Sequence, residues 1–482
     1  MQLPVRLEKK ISKEKKREIF VVIGAGIDQV SSYVKRDFSD LKDKLIEPKE
    51  GVTPLYLSNS KSLISVVLNS NASKRDQMES GAQLYKLISD LITSDTLLRF
   101  CGDQSFFHIV LEGLTRGAYK FKSSFDQVLK EYSKISLMDV DWEVNLKEFF
   151  SYLYWLTYYR WLVDLPSNIC TPDFLSEEAR RVSSKLGLSC KILGKSELEK
   201  KGFGGIIAVS GDQNAYVIEL SYSPKTNRSK KWDLADHSLC LLGKGVTFDT
   251  GGICLKPPEG MSAMKADMSA AALILSLLCL ASDVQIKFPL IGLIGTTCNG
   301  ISRNSVKPGD VIRIKNGQLV QVENTDAEGR LILADLISFC GEQNYKNIVT
   351  LATLTGGIRV GLGLFHAGFF STDKKFANLI LEAGELSGDF CCLFPFEQKY
   401  AKELEVSKEI ISNIGTSKSG APVLAAMFLK HFTKPDMTFI HFDIAGVAYH
   451  TGELVKHWGK GATGFGFKLF YEIFKRLEDT QI

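Results

Sequence analysis

The sequence lacks most of the features that usually reveal a protein's chemistry directly. Only seven of its 482 residues are histidine and no HExxH motif occurs, which argues against a histidine-based zinc protease. Its ten cysteines are scattered and include no CxxC pair. Because the charged N-terminus also lacks the apolar core of a signal peptide, we expect these cysteines to be reduced thiols in a cytoplasmic protein.

Strong charge and long hydrophobic runs are absent as well. The formal net charge is only +4, which is too small to favour nucleic acid as the main partner. The most apolar stretch, Ser269 to Ser282, is too short to span a bilayer and is rich in alanine, so we interpret it as a buried helix. Apolar residues make up 45% of the chain and charged residues 24%, a balance that predicts a globular protein without a membrane partner.

The pattern of the sequence changes twice along the chain. Residues 1–140 are mixed in character, and FVVIGAG (Phe20–Gly26) predicts a strand and a turn rather than a nucleotide site, since the GxGxxG motif is not completed. In residues 141–165 aromatic and aliphatic residues recur at helical spacing, and Pro166 predicts that this helix ends before it. We interpret the helix as a link between an N-terminal domain, residues 1–140, and a larger domain, residues 166–482.

The larger domain alternates strand-like runs with helical patterns. The runs HSLCLLG, KFPLIGLIGTT, NIVTLATL and TFIHFDIAG are interleaved with SAAALILSLLCLA and GRLILADLISFC. Alternation of this kind predicts an α/β domain with a mixed, mostly parallel sheet that is covered on both faces. In such sheets the chemistry collects in the loops just past the strand ends, so we expect the reactive side chains to lie in these loops.

Three of these loops carry carboxylates and cations. Asp267 and Asp326, each taken alone, are better explained as helix N-caps, but the set as a whole is harder to explain in this way. The loops are GKGVTFDTGGICLKP with Lys244, Asp249 and Lys256, MSAMKADMSAAAL with Asp267, and NTDAEGRLILADL with Asp326, Glu328 and Arg330.

Together the three loops favour a site for divalent cations. Asp326 and Glu328 are two residues apart and can reach one point only from an irregular loop, while Gly251 and Gly252 let the backbone come close to a ligand. So many charges beside apolar strands are unfavourable unless something neutralises them. Carboxylates without histidine suit Mg²⁺, Mn²⁺ or Zn²⁺, and two such ions can polarise a carbonyl and supply hydroxide at neutral pH.

These loops resemble those of the leucyl aminopeptidase family of dinuclear metallopeptidases. NTDAEGRL is the most specific of them, and LVDLPSNICTP, TLATLTGG, HFDIAG and GATGFG extend the resemblance from Leu162 to the C-terminus. The resemblance implies a smaller N-terminal α/β domain, a larger α/β catalytic domain and assembly as a homohexamer. It also implies a metal-dependent aminopeptidase that removes leucine or other apolar residues from the N-terminus of peptide substrates.

The resemblance further implies a role for each candidate residue. Lys256 would polarise the scissile carbonyl, Arg330 would hold a bicarbonate ion that acts as general base, and Asp249 and Glu328 would bridge two divalent ions, either Zn²⁺, Mn²⁺, Co²⁺ or Mg²⁺. The complete set of implied metal ligands is Lys244, Asp249, Asp267, Asp326 and Glu328. The implied pocket for the first side chain of the substrate comprises Met264, Thr353, Leu354, Gly356, Ala445 and Ala448.

Four other interpretations stay open at this stage. The basic stretch from Lys9 to Arg17 is the only support for a DNA-binding or regulatory protein, and a charge run of that size is usually a solvated end. A catalytically inactive scaffold is disfavoured because all five ligands and both catalytic cations are present. Cleavage of phosphoesters is chemically possible with two metals, and Cys254 as a nucleophile lacks a nearby histidine in the sequence.

Overall fold

The chain divides into two compact units in a computed structural model. The first unit comprises Met1–Trp161 together with Gly452–Thr463, and the second comprises Leu162–Thr451 together with Gly464–Ile482. The borders predicted from the sequence, at residues 140 and 165, remain predictions. The structure describes residues 6–8, 17–25, 27–37, 46–56, 61–69, 71–92, 96–133, 136–138, 146–224, 238–417, 419–452, 455 and 457–480.

The first unit is built on a six-stranded sheet in the order β1-β6-β5-β2-β4-β3. Neighbouring strands are parallel except for the antiparallel pair β3–β4. The predicted strand at Phe20 lies in β2, and β2 is followed by a helix. The strands are β1 Arg6–Glu8, β2 Arg17–Gly24, β3 Gly51–Tyr56, β4 Lys61–Val67, β5 Thr96–Gly102 and β6 Ser136–Met138.

Helices accompany this sheet, and the predicted linking helix is among them. It spans Leu146–Asp164 and ends before Pro166, where the restricted backbone preceding proline disfavours helix. Most of its aromatic side chains are core residues, among them the buried Trp155, Tyr158 and Tyr159. The helices are α1 Ile27–Asp37, α2 Lys74–Ile88, α3 Phe107–Ala118, α4 Phe125–Tyr132 and α5 Leu146–Asp164, with a 3-10 turn at Gln104–Phe106.

The second unit contains an eight-stranded mixed sheet, as the alternating pattern predicts. The strand order is β15-β14-β17-β13-β9-β10-β8-β7. The central strands β17, β13, β9 and β10 are parallel, and antiparallel pairs lie towards the edges. The strands are β7 Ser189–Gly194, β8 Tyr216–Tyr222, β9 Leu239–Asp249, β10 Leu290–Asn299, β13 Asn347–Ala352, β14 Ala367–Ser371, β15 Cys391–Phe394 and β17 Thr438–Asp443.

Helices and short strands complete this unit. A small three-stranded sheet has the order β11-β12-β16, with β11 Val311–Arg313, β12 Leu319–Gln321 and β16 Ile410–Ser412. The remaining short strand of this unit is β18 Tyr449–His450, and 3-10 helices occur at Met261–Ala266 and Lys402–Leu404. The short strand β19, Gly461–Ala462, belongs to the first unit. The helices are α6 Pro172–Leu186, α7 Lys195–Lys200, α8 Gly204–Ser210, α9 Ser269–Val284, α10 Gly329–Glu342, α11 Gly356–Leu362, α12 Lys374–Ser387, α13 Gln398–Ala401, α14 Ala421–Lys430 and α15 Phe467–Thr480.

The apolar stretch from Ser269 to Ser282 is a core helix. All of its residues are buried in α9, which confirms the prediction from its composition. Within the described part of the chain, Met261–Val284 is one stretch whose length and apolar composition would suffice to cross a membrane, but 89% of its most apolar window is buried inside the protein. Burial by the protein's own core accounts for its apolar character.

Parallel strands bring several loops to one edge of the second sheet. Asp249 at the end of β9 is in register with Asn299 at the end of β10, and Ala352 at the end of β13 is in register with Asp443 at the end of β17. The residues that follow these strand ends therefore meet at a common edge, which is where the candidate residues lie.

Candidate metal centre

Strand β9 carries the innermost pair of candidate residues. Lys244 lies in the middle of the strand and Asp249 at its end, and both are buried. Asp267 directly follows the 3-10 helix that precedes α9. Asp326 and Glu328 lie in the irregular segment that leads into α10. The three loops predicted from the sequence thus converge on one place.

Two lysines pair with the carboxylates in separate groups. The Nζ of Lys244 lies 2.7 Å from Oδ2 of Asp267 and 2.6 Å from Oε1 of Glu328. The Nζ of Lys256 lies 2.8 Å from Oδ2 of Asp249 and also pairs with Oδ1 of Asp326. The Lys244 side chain is only 4% exposed whereas that of Lys256 is 20% exposed, so only Lys256 is open to an incoming molecule.

Three of the carboxylates could hold one cation. Oxygens of Asp249, Asp326 and Glu328 all lie within 4.8 Å of one another. Oε2 of Glu328 is buried and, among the described residues, has no hydrogen-bond partner, although buried polar atoms are almost always paired. Burial and the neighbouring Asp249 raise the pKa of Glu328 to about 7. Carboxylates that need positive charge and an unpaired buried oxygen both fit a divalent cation.

Buried cations and carboxylates perturb one another strongly here. Burial alone would lower the pKa of Lys244, but the carboxylates of Asp267, Glu328 and Asp249 outweigh burial and raise it. The pKa of Lys256 is raised in the same way, against burial, chiefly by Asp249. Burial raises the pKa of Asp267 despite the opposing effect of Lys244. Clustered perturbed groups of this kind are typical of functional sites.

The alternative that these carboxylates are helix caps is not supported by the structure. The N-cap of α9 is Met268 rather than Asp267. Glu328 occupies the N-cap position of α10 but makes no capping hydrogen bond, and Asp326 lies two residues further out. Their oxygens face Lys244 and Lys256 instead, so capping does not explain their placement.

Two glycines make room for side chains of the cluster. A Cβ at Gly329 would stand 2.7 Å from Cδ and 3.0 Å from Nζ of Lys244, so the start of α10 can approach β9 only because this residue has no side chain. Gly251 has a φ of +86°, and a Cβ there would lie 2.9 Å from Oδ1 of Asp326. Both positions therefore need glycine for close approach, and Gly251 also needs it for its backbone conformation.

Polar residues that sequence reasoning missed hold the ligand loops in place. Asn299 donates from Nδ2 to Oδ1 of Asp249 at 2.8 Å and to the carbonyl oxygen of Thr325 at 3.1 Å. Thr325 donates from Oγ1 to the carbonyl oxygen of Gly251 at 2.6 Å. The position of Asn299 at a strand end was the only signal for it in the sequence. These bonds join the loop after β9 to the loop before α10.

Arg330 lies beside the cluster rather than in it. Its Nη1 donates to the carbonyl oxygen of Asn413 at 2.6 Å, while its Nε is buried and has no partner among the described residues. Burial lowers the pKa of Arg330 to about 10, although Glu328 and Asp443 oppose this shift. The guanidinium thus keeps a buried donor that an anion could use.

The predicted pocket residues fall on three segments near the cluster. Thr353 contacts it directly, because its Oγ1 donates to Oδ1 of Asp267 at 2.6 Å and its carbonyl oxygen accepts from Nζ of Lys244 at 3.2 Å. An added side chain at Gly356 would meet nothing within 4 Å. Met264 and Ala445 are half-buried and Ala448 is buried, while Leu354 packs against the core of the unit.

Cys254 shows no arrangement typical of a nucleophile. Its backbone N–H donates to Oγ1 of Thr325 at 2.8 Å, which serves the loop rather than the thiol. Among the described hydrogen bonds none joins a histidine to the Cys254 sulfur. The basic stretch from Lys9 to Arg17, which supported the DNA-binding alternative, lies outside the described residues except for Arg17.

The fold and the site define an α/β protein with a buried carboxylate and lysine cluster at the ends of parallel strands. The sequence profile of the cytosol aminopeptidase family, catalytic domain, matches residues 157–471. The chain therefore belongs to the cytosol aminopeptidase family.

Individual relatives agree with this assignment. The probable cytosol aminopeptidase of Sulfurihydrogenibium sp. is 32% identical over 388 residues, covering 78% of this chain and 75% of that protein. The probable cytosol aminopeptidase of Vesicomyosocius okutanii is 37% identical over 307 residues, covering 63% of this chain. This chain spans only 61% of the length of the latter relative.

A solved structure shares the fold over nearly the whole chain. The bottromycin maturation enzyme BotP in complex with Mn superposes with a TM-score of 0.82, at 23% sequence identity, and the match covers 95% of this chain and 99% of that one. At this identity the likeness confirms the α/β fold class and says nothing further about the chemistry of this chain.

Proposed function

We propose that this chain is a metal-dependent aminopeptidase that releases N-terminal amino acids, preferably leucine or other apolar residues, from peptides. The observation that carries the proposal is the convergence of Asp249, Asp326 and Glu328 oxygens within 4.8 Å, with the Lys256 ammonium 2.8 Å from Asp249. Membership of the cytosol aminopeptidase family supports the same reaction.

Two divalent ions per chain are the proposed cofactors. Lys244, Asp249, Asp267, Asp326 and Glu328 would hold them, with Asp249 and Glu328 bridging. When bound, the ions supply a polarised carbonyl and a hydroxide at neutral pH. Zn²⁺, Mn²⁺, Co²⁺ and Mg²⁺ all accept carboxylate ligands. Lys244 can serve as a ligand only as a neutral amine, so its proton must leave when an ion binds.

Lys256 has the proposed role of stabilising negative charge on the substrate carbonyl. Its side chain is more exposed than that of Lys244, so a substrate can reach it. Its pKa is raised by Asp249 and Asp326 in spite of burial, which keeps the ammonium charged. A fixed cation aimed at a developing oxyanion is a large contribution to catalysis of acyl transfer.

Arg330 has the proposed role of holding bicarbonate as the general base. Its planar fork suits a planar oxyanion, and the hydrogen bond to Asn413 fixes one arm of the fork. The buried Nε, which has no partner in the described part of the chain, leaves one donor for the anion. Arg330 would hold bicarbonate there, and the anion would supply a general base when bound.

The pocket residues support a preference for apolar first residues. Met264, Leu354, Ala445 and Ala448 are apolar residues, and a Cβ at Gly356 would meet nothing within 4 Å. Discrimination by one methylene is worth only about 1–3 kcal/mol, so we expect a preference for leucine and methionine rather than strict selectivity. We further propose peptide substrates, assembly as a homohexamer and a cytoplasmic location.

Removal and restoration of metal tests the proposed function. The protein is stripped with a chelator, the loss of metal is verified by elemental analysis, and a panel of aminoacyl amides is assayed before and after Zn²⁺, Mn²⁺, Co²⁺ or Mg²⁺ is added. We expect activity to disappear with the metal and to return with at least one ion, fastest on leucyl and methionyl amides. Full activity in verified metal-free protein would refute the proposal.

A further inference from the structure

Asp443 at the end of β17 is buried, only 1% exposed, and serves three backbone or hydroxyl donors. Oδ1 accepts from the backbone N–H of Leu354 at 3.1 Å and from that of Ala445 at 3.2 Å. Oδ2 accepts from Oγ1 of Thr355 at 2.6 Å. One carboxylate thus holds together the segments that follow β13 and β17.

The segment held by Asp443 also touches the ligand cluster. Thr353, one residue before Leu354, donates to Oδ1 of Asp267 and accepts from Nζ of Lys244. Asp267 is the carboxylate ligand that is not part of the group formed by Asp249, Asp326 and Glu328. A shift of the Thr353 segment would therefore act directly on Lys244 and Asp267. It would reach Glu328 only through Lys244, and Thr353 has no described bond to Asp249 or Asp326.

We propose that Asp443 is a positioning residue that aligns the Lys244 and Asp267 half of the metal centre and the substrate pocket together. This inference rests on the proposed function, because both the metal ions and the substrate are part of that proposal. Thr353, Leu354 and Ala445, which belong to the predicted pocket, lie on the two segments that Asp443 fixes. Mutation of a residue that orients a metal ligand typically lowers the affinity for the metal by about 10- to 100-fold.

Thr355 transmits part of this restraint. Its Oγ1 donates to Asp443 and also accepts from the backbone N–H of Ile358 at 3.3 Å, as the N-cap of α11. Loss of the hydroxyl would free both the carboxylate and the first turn of α11. Thr355→Val removes the hydroxyl at nearly constant shape, and Thr355→Ser keeps it, so the two variants isolate this contact.

The test measures binding of Mn²⁺ to the full-length chain by isothermal titration calorimetry, with metal content determined by elemental analysis. For Asp443→Ala we expect one of two bound ions to be weakened by about 10- to 100-fold, with the other nearly unchanged. Asp443→Asn keeps Oδ1 as an acceptor for both N–H groups and should restore most of the affinity. Thr355→Val should weaken the same ion less strongly, and Thr355→Ser should resemble the wild type.

A matched control separates positioning from general loss of stability. Asp335 is equally buried and accepts from the backbone N–H groups of Ile206 at 2.8 Å and Lys315 at 2.9 Å, yet it contacts none of the ligands in the described structure. Asp335→Ala should lower the melting temperature while both ions bind with wild-type affinity. KM for leucyl amide should rise in Asp443→Ala and stay constant in Asp335→Ala.

Several results would overturn the proposal. Equal weakening of both ions in Asp443→Ala and Asp335→Ala would mean that Asp443 acts only through stability. If Asp443→Ala does not fold, unchanged Mn²⁺ binding in Thr355→Val would likewise show that the Asp443 contacts do not position the metal ligands. A different result would refute the proposed function alone: a wild-type protein that binds two ions but cleaves no aminoacyl amide. The effect of Asp443 on metal binding would still be measurable in that protein.

Discussion

Lys244 and Lys256 differ in environment more than in sequence context. Both lie within one sequence motif, both pair with two carboxylates, and both have a raised pKa. Lys244 lies on β9 and is covered by the start of α10, whereas Lys256 lies on a more exposed loop beside Asp326. Enclosure suits a ligand that must lose its proton, and partial exposure suits a cation that meets the substrate.

The two lysines should therefore fail in different ways. Lys256→Ala should lower kcat by on the order of 10²–10³-fold with both ions still bound, because it removes one donor to the oxyanion. Lys244→Ala should lose affinity for one ion. Metal content measured beside kcat and KM distinguishes the two. If Lys256→Ala loses metal while Lys244→Ala keeps it, the two roles are reversed.

Glu328 should make metal binding depend on pH. Burial and Asp249 raise its pKa to about 7, above the usual value of about 4.3. Without metal, the folded protein keeps a proton on Glu328 at pH values at which the unfolded chain has already released it. The contribution of this group to the free energy of unfolding is therefore full below the unfolded pKa and is lost as the pH rises through 7. Metal must displace the same proton, so the contribution of Glu328 to metal affinity should rise with pH up to about 7 and then level off. Release of the Lys244 proton continues to favour binding at higher pH, because the pKa of Lys244 is raised.

Calorimetric titration of Mn²⁺ at about pH 6 and about pH 8 measures this dependence. Buffers with different enthalpies of ionisation report the number of protons released on binding, which should be larger at the lower pH. Affinity that does not change between the two pH values would contradict a raised pKa at Glu328.

At the scale of elements, the approach of α10 to β9 depends on one missing side chain. Gly329→Ala would place a Cβ against the end of Lys244, so Lys244 would have to move away from Asp267 and Glu328. We expect metal affinity to fall by about 10- to 100-fold. Folding stability should fall as well, because the buried Lys244 loses its pairing with two buried carboxylates. Mn²⁺ titration and thermal unfolding measure the two effects.

Gly341 on the same helix is the matched control for Gly329. A Cβ there would stand 3.3 Å from Cε of Lys434, the flexible end of a side chain. Gly341→Ala should leave metal affinity unchanged and stability equal or slightly higher. Identical metal affinity in both variants would show that contact between α10 and Lys244 does not position the ligand.

The strand and helix elements that carry the ligands were predictable from the sequence. Apolar runs gave β9, β10, β13, β17 and the helices α9 and α10, since fully buried strands and helices need continuous apolar residues. The charged loops between them were recognisable because their composition is costly without a ligand. Asn299, Asn413 and Asp443 were not, because a polar residue at a strand end reveals neither its partner nor its depth until the strands are paired.

At the scale of the whole molecule, the proposed activity requires a free α-amine on the substrate. A peptide such as Leu-Gly-Gly should be cleaved from its N-terminus one residue at a time, and its N-acetylated form should be inert because an acetylated nitrogen is a poor ligand for metal. Product analysis by mass spectrometry checks both. Hydrolysis of the acetylated peptide, or a cut in mid-chain, would point to an endopeptidase.

The division of the molecule into two units was only partly accessible from the sequence. The second unit starts at Leu162, and the borders predicted at residues 140 and 165 stay predictions. The sequence does not indicate that Gly452–Thr463 returns to the first unit. A segment this short has no hydrophobic periodicity from which its packing partners could be predicted. Within the first unit, Trp458 from this segment lies under the guanidinium of Arg75, 4.8 Å from its ring centroid.

Because the chain returns to the first unit, this unit cannot be exchanged between genes as one continuous stretch. Its residues are encoded in two separate stretches of the gene, one before and one within the coding region of the second unit. A recombination event that exchanged only the 5′ stretch would combine Arg75 and Arg160 from one parent with segment 452–463 from the other. The contacts of these arginines with the Trp458 ring and with the carbonyl oxygens of Trp458 and Ala462 would then join segments of different origin. Chimaeras between relatives should therefore succeed only when both stretches come from the same parent.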